Sequence, residues 1–430
     1  MKKILCMILS LVLLIGLCAC GSAPDDATST EVEVIVEQDE VVYEETESKT
    51  ESTTDNVSSS TPTTSEPTVS DVSSNDNTSS KQEENSSVST PVVEESIYYL
   101  NDAKSFEKVK LNGRCDKTDY GVSLNMSASA IEFNTDSSSV LLEINADLGL
   151  YYTVVVDGKV TMDHKPIEVS GINYLAIARG LSGGTHNIKF IRDSEARGGL
   201  EFTVVNIQLD EGATLLAKDA DKNVIEFLGD SLTSGYGNLI TGAANASDLK
   251  NQSATKAYSY LLANKLNMDY RIVSMSGIAL GKRDGYPTFP EFYSLESYHL
   301  DKEKKYTSSN PADVDVVVVN LGTNDASDGL YNEKDPKSVE NYGKRYADLI
   351  TNIGYRKDVK VVFISGVCWC HTQTAAYNAA KTELKSRGYN NTYSIDIRSL
   401  QSGGGGHPSA EEHVEVADTL YKFFKDNEIA

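Results

Sequence analysis

The stretch VIEFLGDSLTSGYG, residues 224–237, decides the fold of the C-terminal half of the chain. It opens with a short apolar run that is typical of a buried strand, and it then places Ser231 among glycines that permit tight backbone geometry. Similar apolar runs follow along the chain, at 272–275, 314–319, 359–364 and 393–397. Amphipathic helical stretches alternate with these runs, at 257–266, 338–352, 375–386 and 409–426. The alternation predicts an α/β domain, residues 222–430, in which helices cover both faces of a parallel sheet.

Candidate catalytic residues follow three of these predicted strands and open the last predicted helix. Ser231 follows the first strand, Gly277 lies in SMSGI after the second, and Asn324 lies in NLGTND after the third. His407 lies in GHPS, which opens the last helix. Ligand sites in such sheets lie outside the carboxyl ends of the strands, so we expect these residues to meet there. A serine becomes a nucleophile when a histidine takes its proton, and fixed N–H donors then stabilise the oxyanion that forms.

These four segments, in this order, resemble the sequence blocks of the SGNH (GDSL-type) hydrolases. The resemblance implies that Ser231 is the nucleophile and that His407 is the general base. It also implies that the oxyanion is bound by the N–H groups of Ser231 and Gly277 and by the side-chain amide of Asn324.

The chain departs from that family at the acid of the catalytic triad. SGNH enzymes commonly carry an Asp a few residues before the catalytic His, whereas residues 403–406 of this chain are four glycines. The nearest upstream acid is Asp396, at the end of the last predicted strand. Two arrangements stay open: a Ser-His dyad in which a main-chain carbonyl holds His407, or a triad completed by an acid from elsewhere in the chain. We favour the dyad, because loss of an orienting acid weakens a base without necessarily abolishing it.

Residues 97–215 have a different pattern, with period-two alternation and turn signals. The strands predicted there lie at 140–144, 152–156, 159–160, 186–191 and 200–209. Asp157 and Gly158 between two of them predict a hairpin with a type I′ turn. Short strands separated by turns predict a β-sandwich of the jelly-roll kind.

A β-sandwich followed by an SGNH domain resembles carbohydrate esterase family 2, over residues 97–430 of this chain. The strings that carry the resemblance are GDSLTSGYG at 229–237 and GTND at 322–325. Enzymes of that family remove acetyl groups from plant polysaccharides such as xylan and mannan, and some of them lack the triad acid. The resemblance therefore implies a serine esterase that removes O-acetyl groups from a polysaccharide such as xylan or glucomannan.

Aromatic side chains near the predicted site are candidates for binding a sugar. Trp369, the single tryptophan, follows the fourth predicted strand at the active-site edge, where its ring could stack on a pyranose face. Ordinary packing is the alternative for this side chain. We also predict substrate contacts for Tyr236 and Asp230, with Tyr286 as a further aromatic candidate.

The N-terminus has the pattern of a secretory signal. Lys2 and Lys3 precede an apolar segment, residues 4–17, that is too short to span a membrane comfortably. The ending Leu-Cys-Ala-Cys resembles the bacterial lipobox, which implies a lipoprotein signal peptide at 1–20 with Cys20 as the acylated residue. A plain signal peptide is the alternative.

Residues 21–96 are rich in Ser, Thr and acidic residues and predict a disordered stalk. We therefore expect a protein held by a lipid anchor on the extracellular side of a bacterial cell membrane.

Composition excludes other classes of partner. The formal net charge of −24 argues against nucleic acid, since phosphate binding needs a basic surface. Three of the six cysteines lie in the signal segment, and those at 115, 368 and 370 do not predict a disulfide framework. The string CWCH at 368–371 lacks a second ligand pair at zinc spacing. We expect neither a metal nor an organic cofactor.

Two other functions stay open. An SGNH lipase or thioesterase would need a wide apolar groove, whereas the loops of the C-terminal domain are rich in Gly, Ser, Tyr and Asn. A non-catalytic surface lipoprotein that binds carbohydrate is the second, and the intact pair Ser231 and His407 argues against it. The β-sandwich either binds glycan or buttresses the catalytic domain, and our hypothesis is that it forms a wall of the active-site cleft.

Overall fold

The structure is a computed structural model of the protein, and it describes residues 96–196, 199–297, 301–307, 309–368 and 373–430. The predicted signal peptide with Cys20, the predicted stalk up to residue 95 and Trp369 lie outside the described residues. In the described part, two antiparallel sheets come first and a parallel sheet with flanking helices follows, so the predicted fold class is confirmed. No helix in these ranges has the length and hydrophobicity needed to cross a membrane.

The N-terminal sandwich consists of short strands that pair antiparallel in two sheets. Its elements in chain order are β1 (Ile97–Tyr99), α1 (Ala103–Phe106), β2 (Val109–Asn112), β3 (Cys115–Lys117), β4 (Val122–Leu124), β5 (Ala130–Thr135), β6 (Val140–Ala146), β7 (Tyr151–Val156), β8 (Lys159–Pro166), β9 (Gly171–Ala178), β10 (His186–Arg192) and β11 (Phe202–Leu209). One sheet has the order β3-β4-β11-β6-β9, with β1 also paired to β11, and the other has the order β2-β5-β10-β7-β8. Alternate side chains of β6 are buried, as period two requires when one face of a strand packs on a core.

The β7–β8 hairpin contains the predicted turn. Asp157 and Gly158 have φ angles of 50° and 74°, and a type I′ turn needs positive φ at both central residues. Strands β1 to β5 and β9, in contrast, were not among the predicted strands, and β9 is the longest of them. It lies at the edge of its sheet, and Ile172 and Tyr174 on it are 53% and 60% exposed, so its apolar residues do not alternate with polar ones.

The C-terminal domain begins with β12 (Val224–Gly229), which is the strand of the stretch quoted at the start. The elements that follow are α2 (Ser231–Ser234), α3 (Tyr258–Leu266), β13 (Asp269–Ser274), α4 (Phe289–Tyr293), β14 (Leu295–Ser297), β15 (Asp301–Lys305), β16 (Val314–Asn320), α5 (Thr323–Ser327), α6 (Pro336–Ile353), β17 (Lys360–Gly366), α7 (Thr374–Ser386), β18 (Thr392–Ile397) and α8 (Ala410–Asp426). Short 3₁₀ turns lie at Leu249–Asn251, Ala254–Lys256 and Pro311–Asp313. The parallel sheet has the strand order β13-β12-β16-β17-β18, and β14 pairs with β15 in a separate ribbon.

Helices cover both faces of the parallel sheet, which explains why its strands are continuous apolar runs. Phe227 and Leu228 are neighbours in β12 and fully buried, and they belong to two different apolar clusters because successive side chains point to opposite faces. Phe363 of β17 lies in the same cluster as Leu228. Its ring centroid is 4.8 Å from that of Tyr377 on α7 and 6.0 Å from that of Tyr346 on α6. These rings hold α6 and α7 on one face of the sheet.

The end of β10 ties the sandwich to the C-terminal domain. The carboxylate of Asp193 is fully buried, and it accepts hydrogen bonds from the Thr255 N–H at 2.7 Å and from the Ser253 hydroxyl at 3.0 Å. Arg192, also buried, donates to the Leu124 carbonyl at 2.8 Å. Hydrogen bonds from these two adjacent residues therefore fix the start of the segment that leaves the sandwich, residues 194–196.

Replacement of Phe363 by Ala is expected to lower the free energy of unfolding by about 3–5 kcal/mol, because the cavity removes its contacts with two buried tyrosines. Urea unfolding of the full chain, followed by circular dichroism, measures this change. The control is Val414→Ala on the exposed face of α8, which is expected to change stability by less than about 0.5 kcal/mol. Equal effects of the two changes would contradict the assignment of Phe363 to the core.

Candidate active site

The order of the strands brings the predicted catalytic segments together. Strand β12 lies between β13 and β16, so the segments that follow these three strands meet at one edge of the sheet. This edge is also where the chain order of the strands reverses, which is the usual position of a site in an open α/β sheet. Ser231, Gly277 and Asn324 come from the three strand ends, and His407 comes from the loop before α8.

Ser231 and His407 are in hydrogen-bond contact. Ser231 is the first residue of α2, and its Oγ lies 2.8 Å from Nε2 of His407. Asp230 caps the helix, since its Oδ1 accepts the N–H of Leu232 at 3.0 Å. The 2.8 Å between Ser231 Oγ and His407 Nε2 is within the range in which a histidine can take the proton of a serine hydroxyl.

The turn before Ser231 requires a glycine. A Cβ atom at Gly229 would lie 1.9 Å from Oγ1 of Thr233, so any other residue would displace the first turn of α2. Gly235 ends that short helix with a φ of 83°, in the left-handed region that favours glycine. The glycines of the GDSLTSGYG string thus hold the serine at the end of its strand.

The second ring nitrogen of His407 faces the main chain. Its Nδ1 lies 3.2 Å from the carbonyl oxygen of Gly405. Asp396, the nearest acid upstream, is occupied elsewhere, because its Oδ1 accepts hydrogen bonds from Thr374 at 2.8 Å and from Ser365. The structure therefore pairs the imidazole with a carbonyl at the position where the related hydrolases commonly place a carboxylate.

The glycine run before His407 packs tightly against the loop that follows α2. The Gly404 N–H donates to the carbonyl of Gly237 at 2.8 Å, and the Gly405 N–H donates to that of Gly242 at 2.8 Å. A Cβ atom at Gly404 would lie 2.9 Å from the Ile240 side chain. The backbones approach so closely that an aspartate side chain at position 404 has no room, which gives a physical reason for the missing acid.

Gly277 and Asn324 line the same cleft as the serine and the histidine, and the cleft has a volume of about 700 Å³. Gly277 has a φ of 83°, and a Cβ atom there would lie 2.7 Å from the ring of Tyr286. Nδ2 of Asn324 donates to the Ile278 carbonyl at 2.8 Å and lies 3.4 Å from Oδ2 of Asp230. Amide donors are thus gathered beside Ser231, where an acyl oxygen would develop negative charge.

Burial shifts the pKa values of His407 and of Asp230, the residue before Ser231. Desolvation lowers the pKa of His407 from its ordinary 6.5, while the carbonyls of Gly405 and Gly404 partly counteract that shift. Desolvation also raises the pKa of Asp230 to about 7, and the nearby Asp325 carboxylate adds to the increase. His407 is therefore neutral near pH 7, which is the form that accepts a proton.

The predicted substrate residues have different positions. Tyr236 lines the cleft, with its ring centroid 4.6 Å from that of His407, and Tyr286 lines the cleft as well. Asp230 is fully buried, and its carboxylate caps α2 beneath the nucleophile. The prediction that Asp230 contacts substrate therefore needs correction, because the residue has no exposed surface. Trp369 lies outside the described residues.

Two functional candidates escaped the sequence analysis. Glu195 comes from the sandwich and lines the cleft, where its two carboxylate oxygens accept hydrogen bonds from the N–H and the hydroxyl of Ser276, at 2.5 Å and 2.8 Å. Arg283 lines the cleft too, and its guanidinium donates to the Gly277 carbonyl and to Oδ1 of Asn324. Neither residue belongs to a motif, and no spacing in the sequence links it to the serine or the histidine.

A serine–histidine pair at the carboxyl edge of this sheet, flanked by a glycine and an asparagine, is the arrangement that the resemblance to SGNH hydrolases implies. Family models agree: one described as "Carbohydrate esterase 2 N-terminal" matches residues 111–218, and one described as "GDSL-like Lipase/Acylhydrolase family" matches residues 227–413. The carbohydrate esterase 2 N-terminal match thus falls on the sandwich, and the GDSL-like lipase/acylhydrolase match falls on the parallel-sheet domain.

Similar proteins include two curated carbohydrate-active enzymes. The chain is 28% identical to the cellulase/esterase CelE of Acetivibrio thermocellus over 221 residues, which are 50% of this chain and 26% of that protein, so it matches about a quarter of that relative's length. It is 25% identical to an acetylxylan esterase / glucomannan deacetylase of Cellvibrio japonicus over 311 residues, which are 70% of this chain and 84% of the relative. A family two carbohydrate esterase from Clostridium thermocellum, solved in complex with cellohexaose, superposes with a TM-score of 0.63. At 22% identity, covering 74% of this chain and 98% of that one, it shows that the fold is shared.

The lowered pKa of His407 predicts the pH dependence of activity. Only neutral His407 can act as the base, so kcat/KM is expected to fall as the pH drops through the pKa of His407, with a midpoint below 6.5. The hydrolysis of p-nitrophenyl acetate, followed from about pH 4.5 to 8, measures this midpoint. A midpoint near 7 would instead indicate that the proton of Asp230 controls the rate, and Asp230→Asn would then remove that limb of the profile.

Proposed function

We propose that the protein is a serine esterase that removes O-acetyl groups from polysaccharides such as xylan or glucomannan by acyl transfer through a Ser231–His407 dyad. The observation that carries the proposal is the 2.8 Å contact between Ser231 Oγ and His407 Nε2 beside the amide donors of Gly277 and Asn324. The substrate class comes from the relatives, one of which is described as an acetylxylan esterase / glucomannan deacetylase.

In the first half of the reaction, His407 takes the proton of Ser231 while Oγ attacks the carbonyl carbon of the acetyl group. The oxyanion that forms accepts hydrogen bonds from the N–H groups of Ser231 and Gly277 and from Nδ2 of Asn324. An amide nitrogen carries two hydrogens, and Nδ2 of Asn324 donates to the Ile278 carbonyl at 2.8 Å and to Oδ2 of Asp230 at 3.4 Å. The hydrogen in the longer contact, with Asp230, is the one that turns to the oxyanion. Collapse of the intermediate breaks the ester bond, and the sugar hydroxyl leaves with the proton from His407. In the second half, His407 activates a water molecule that releases acetate from Ser231.

The Gly405 carbonyl supports the dyad mechanism. By accepting a hydrogen bond from the Nδ1–H of His407, it selects the tautomer in which Nε2 is free to take the proton of Ser231. A carbonyl is a dipole rather than a full charge, so it orients the ring while stabilising the imidazolium less than a carboxylate would. The close packing of the glycine run fixes the position of this carbonyl.

The lining of the cleft favours a sugar ester over a lipid or a thioester. Its polar residues other than the catalytic ones share hydroxyl or charged groups, and they include Ser247, Ser276, Thr323, Ser327, Arg283 and Glu195. Among the described residues of the lining, the non-aromatic apolar side chains are those of Met275 and Cys368. Hydroxyl groups and a guanidinium suit a hydroxyl-rich ligand, whereas an acyl chain would require a continuous apolar wall.

Replacement of Ser231 by Ala is expected to lower kcat by about 10⁴-fold or more, because it removes the hydroxyl that is hydrogen-bonded to His407 and forms the acyl-enzyme. The measurement is acetate release from acetylated xylan and from acetylated glucomannan, beside p-nitrophenyl acetate as a general ester. Wild-type turnover of p-nitrophenyl acetate but of neither polymer would keep the ester chemistry and reject the polysaccharide substrate. A non-catalytic binding protein would show no Ser231-dependent turnover of any of the three.

The matched control for that experiment is Asp396→Asn. Because the Asp396 carboxylate binds Ser365 and Thr374 rather than His407, this change is expected to leave kcat within about threefold of the wild type. A loss approaching that of Ser231→Ala would show that Asp396 completes a triad and would reject the dyad.

We further propose that the protein is exported and held on the outer side of the cell membrane by a lipid on Cys20, with residues 21–96 as a tether. The support is the apolar segment and the Leu-Cys-Ala-Cys ending described above. Metabolic labelling with an alkyne fatty acid in a bacterial host is expected to mark the wild type and Cys18→Ala but not Cys20→Ala. Labelling of Cys20→Ala at the level of the wild type would reject the anchor.

A further inference from the structure

Glu195 belongs to the sandwich by sequence but to the active site by position. It lies between β10 and β11, three residues after the buried Arg192, and it lines the cleft that contains Ser231 and His407. The residue is 1% exposed. A buried carboxylate costs free energy unless hydrogen bonds replace its hydration, and both oxygens of Glu195 are committed to Ser276.

Ser276 is the residue before Gly277, so these two bonds act directly on the oxyanion donor. The Gly277 N–H belongs to the peptide unit that Ser276 begins, and its direction follows from the backbone angles of Ser276 and Gly277. Glu195 fixes that unit from one side by taking the Ser276 N–H and hydroxyl. Arg283 fixes the other side by donating to the Gly277 carbonyl.

Few main-chain hydrogen bonds hold the turn itself. Gly277 has a φ of 83°, which glycine adopts without strain, and among the described residues one main-chain bond closes the turn, from the Ile278 N–H to the Met275 carbonyl at 3.2 Å. Among the contacts of the described residues, the Gly277 N–H has no protein acceptor, which leaves it available to a ligand. A small rotation of this peptide would change the direction of the Gly277 N–H in the cleft without breaking any strand or helix.

We propose that Glu195 is a positioning residue, through which the sandwich holds the Ser276–Gly277 turn and so completes the oxyanion hole of the neighbouring domain. The inference rests on the proposed function, because an oxyanion hole has meaning only for acyl transfer at Ser231. It assigns the sandwich a part in catalysis that is independent of any glycan binding.

Glu195 could act instead through its charge. Its carboxylate lines the same cleft as His407 and electrostatically favours the protonated imidazole. The two roles predict opposite results for two small substitutions. Glu195→Gln keeps the length of the side chain and loses the charge, whereas Glu195→Asp keeps the charge and is one methylene shorter.

The glutamine variant can preserve both contacts with Ser276. Its Oε1 can accept the N–H, and its Nε2 can donate to the hydroxyl, which turns from donor to acceptor. The aspartate variant cannot reach both groups from the same backbone position. Positioning therefore predicts that Glu195→Gln keeps kcat within about threefold, while Glu195→Asp lowers kcat by about 10-fold to 10²-fold with KM nearly unchanged.

The experiment measures kcat and KM of the full chain for p-nitrophenyl acetate, with Ser231→Ala measured in parallel. Asp193→Asn is the control for domain docking, since Asp193 lies in the same segment but binds Ser253 and Thr255. It is expected to lower the melting temperature while kcat per folded molecule stays within about threefold. Thermal unfolding of all variants separates a loss of folded protein from a loss of kcat.

Each outcome has a definite meaning. A low kcat for Glu195→Asp with near-normal Glu195→Gln supports positioning. The reverse pattern, or equal losses in both variants, shows that the charge matters and overturns the inference. Normal kcat in both variants overturns it as well, and if Ser231→Ala is then inactive, the proposed function still stands. Full activity of Ser231→Ala would reject the proposed function, and the role of Glu195 with it.

Discussion

The contact between Ser231 and His407 is the constraint on which the rest of the structure depends. It joins residues that are 176 positions apart, across a distance of 2.8 Å. Such a contact survives only if both partners are held by rigid elements, because a loop free to move would lose far more conformational entropy than one hydrogen bond returns. Strand β12 fixes the serine, and the glycine run, bonded to Gly237 and Gly242, fixes the histidine.

Near this contact, acidic side chains are buried and a turn has a positive φ angle. Hydrogen bonds from the surrounding backbone hold the buried carboxylates in place. Asp230 and Asp325 are buried acids with raised pKa values, and their carboxylates accept hydrogen bonds from the backbone of α2 and of residues 280 and 281. Gly277 has a φ of 83°, which glycine adopts without strain and other residues avoid. Buried acids with shifted pKa values cluster at active sites because the surrounding fold holds them there. The same fold lowers the pKa of His407 and so prepares it to act as a base.

The segment that follows β10 couples the sandwich to the C-terminal domain near the active-site cleft. Asp193 binds the loop before α3, and Glu195 binds the turn after β13, so one short segment of the sandwich contacts two sides of the catalytic domain. This coupling gives a physical reason for the two folds to occur together, as they do in the solved carbohydrate esterase that covers 74% of this chain. A catalytic domain without the sandwich would lack the side chain that holds the Ser276–Gly277 turn.

The amino-acid sequence by itself determined the elements and the residues whose patterns are local. Apolar runs predicted the parallel strands, Asp157-Gly158 predicted a turn with two positive φ angles, and four short strings predicted which residues would meet at the sheet edge. These predictions succeed because hydrophobic period and turn chemistry act over a few residues, and because parallel strands gather their carboxyl ends at one edge. Only the tertiary structure decided that Asp230 is buried, that a carbonyl rather than Asp396 faces His407, and that Glu195 reaches Ser276. Those contacts depend on how loops and domains pack in three dimensions, which no pattern along the chain records.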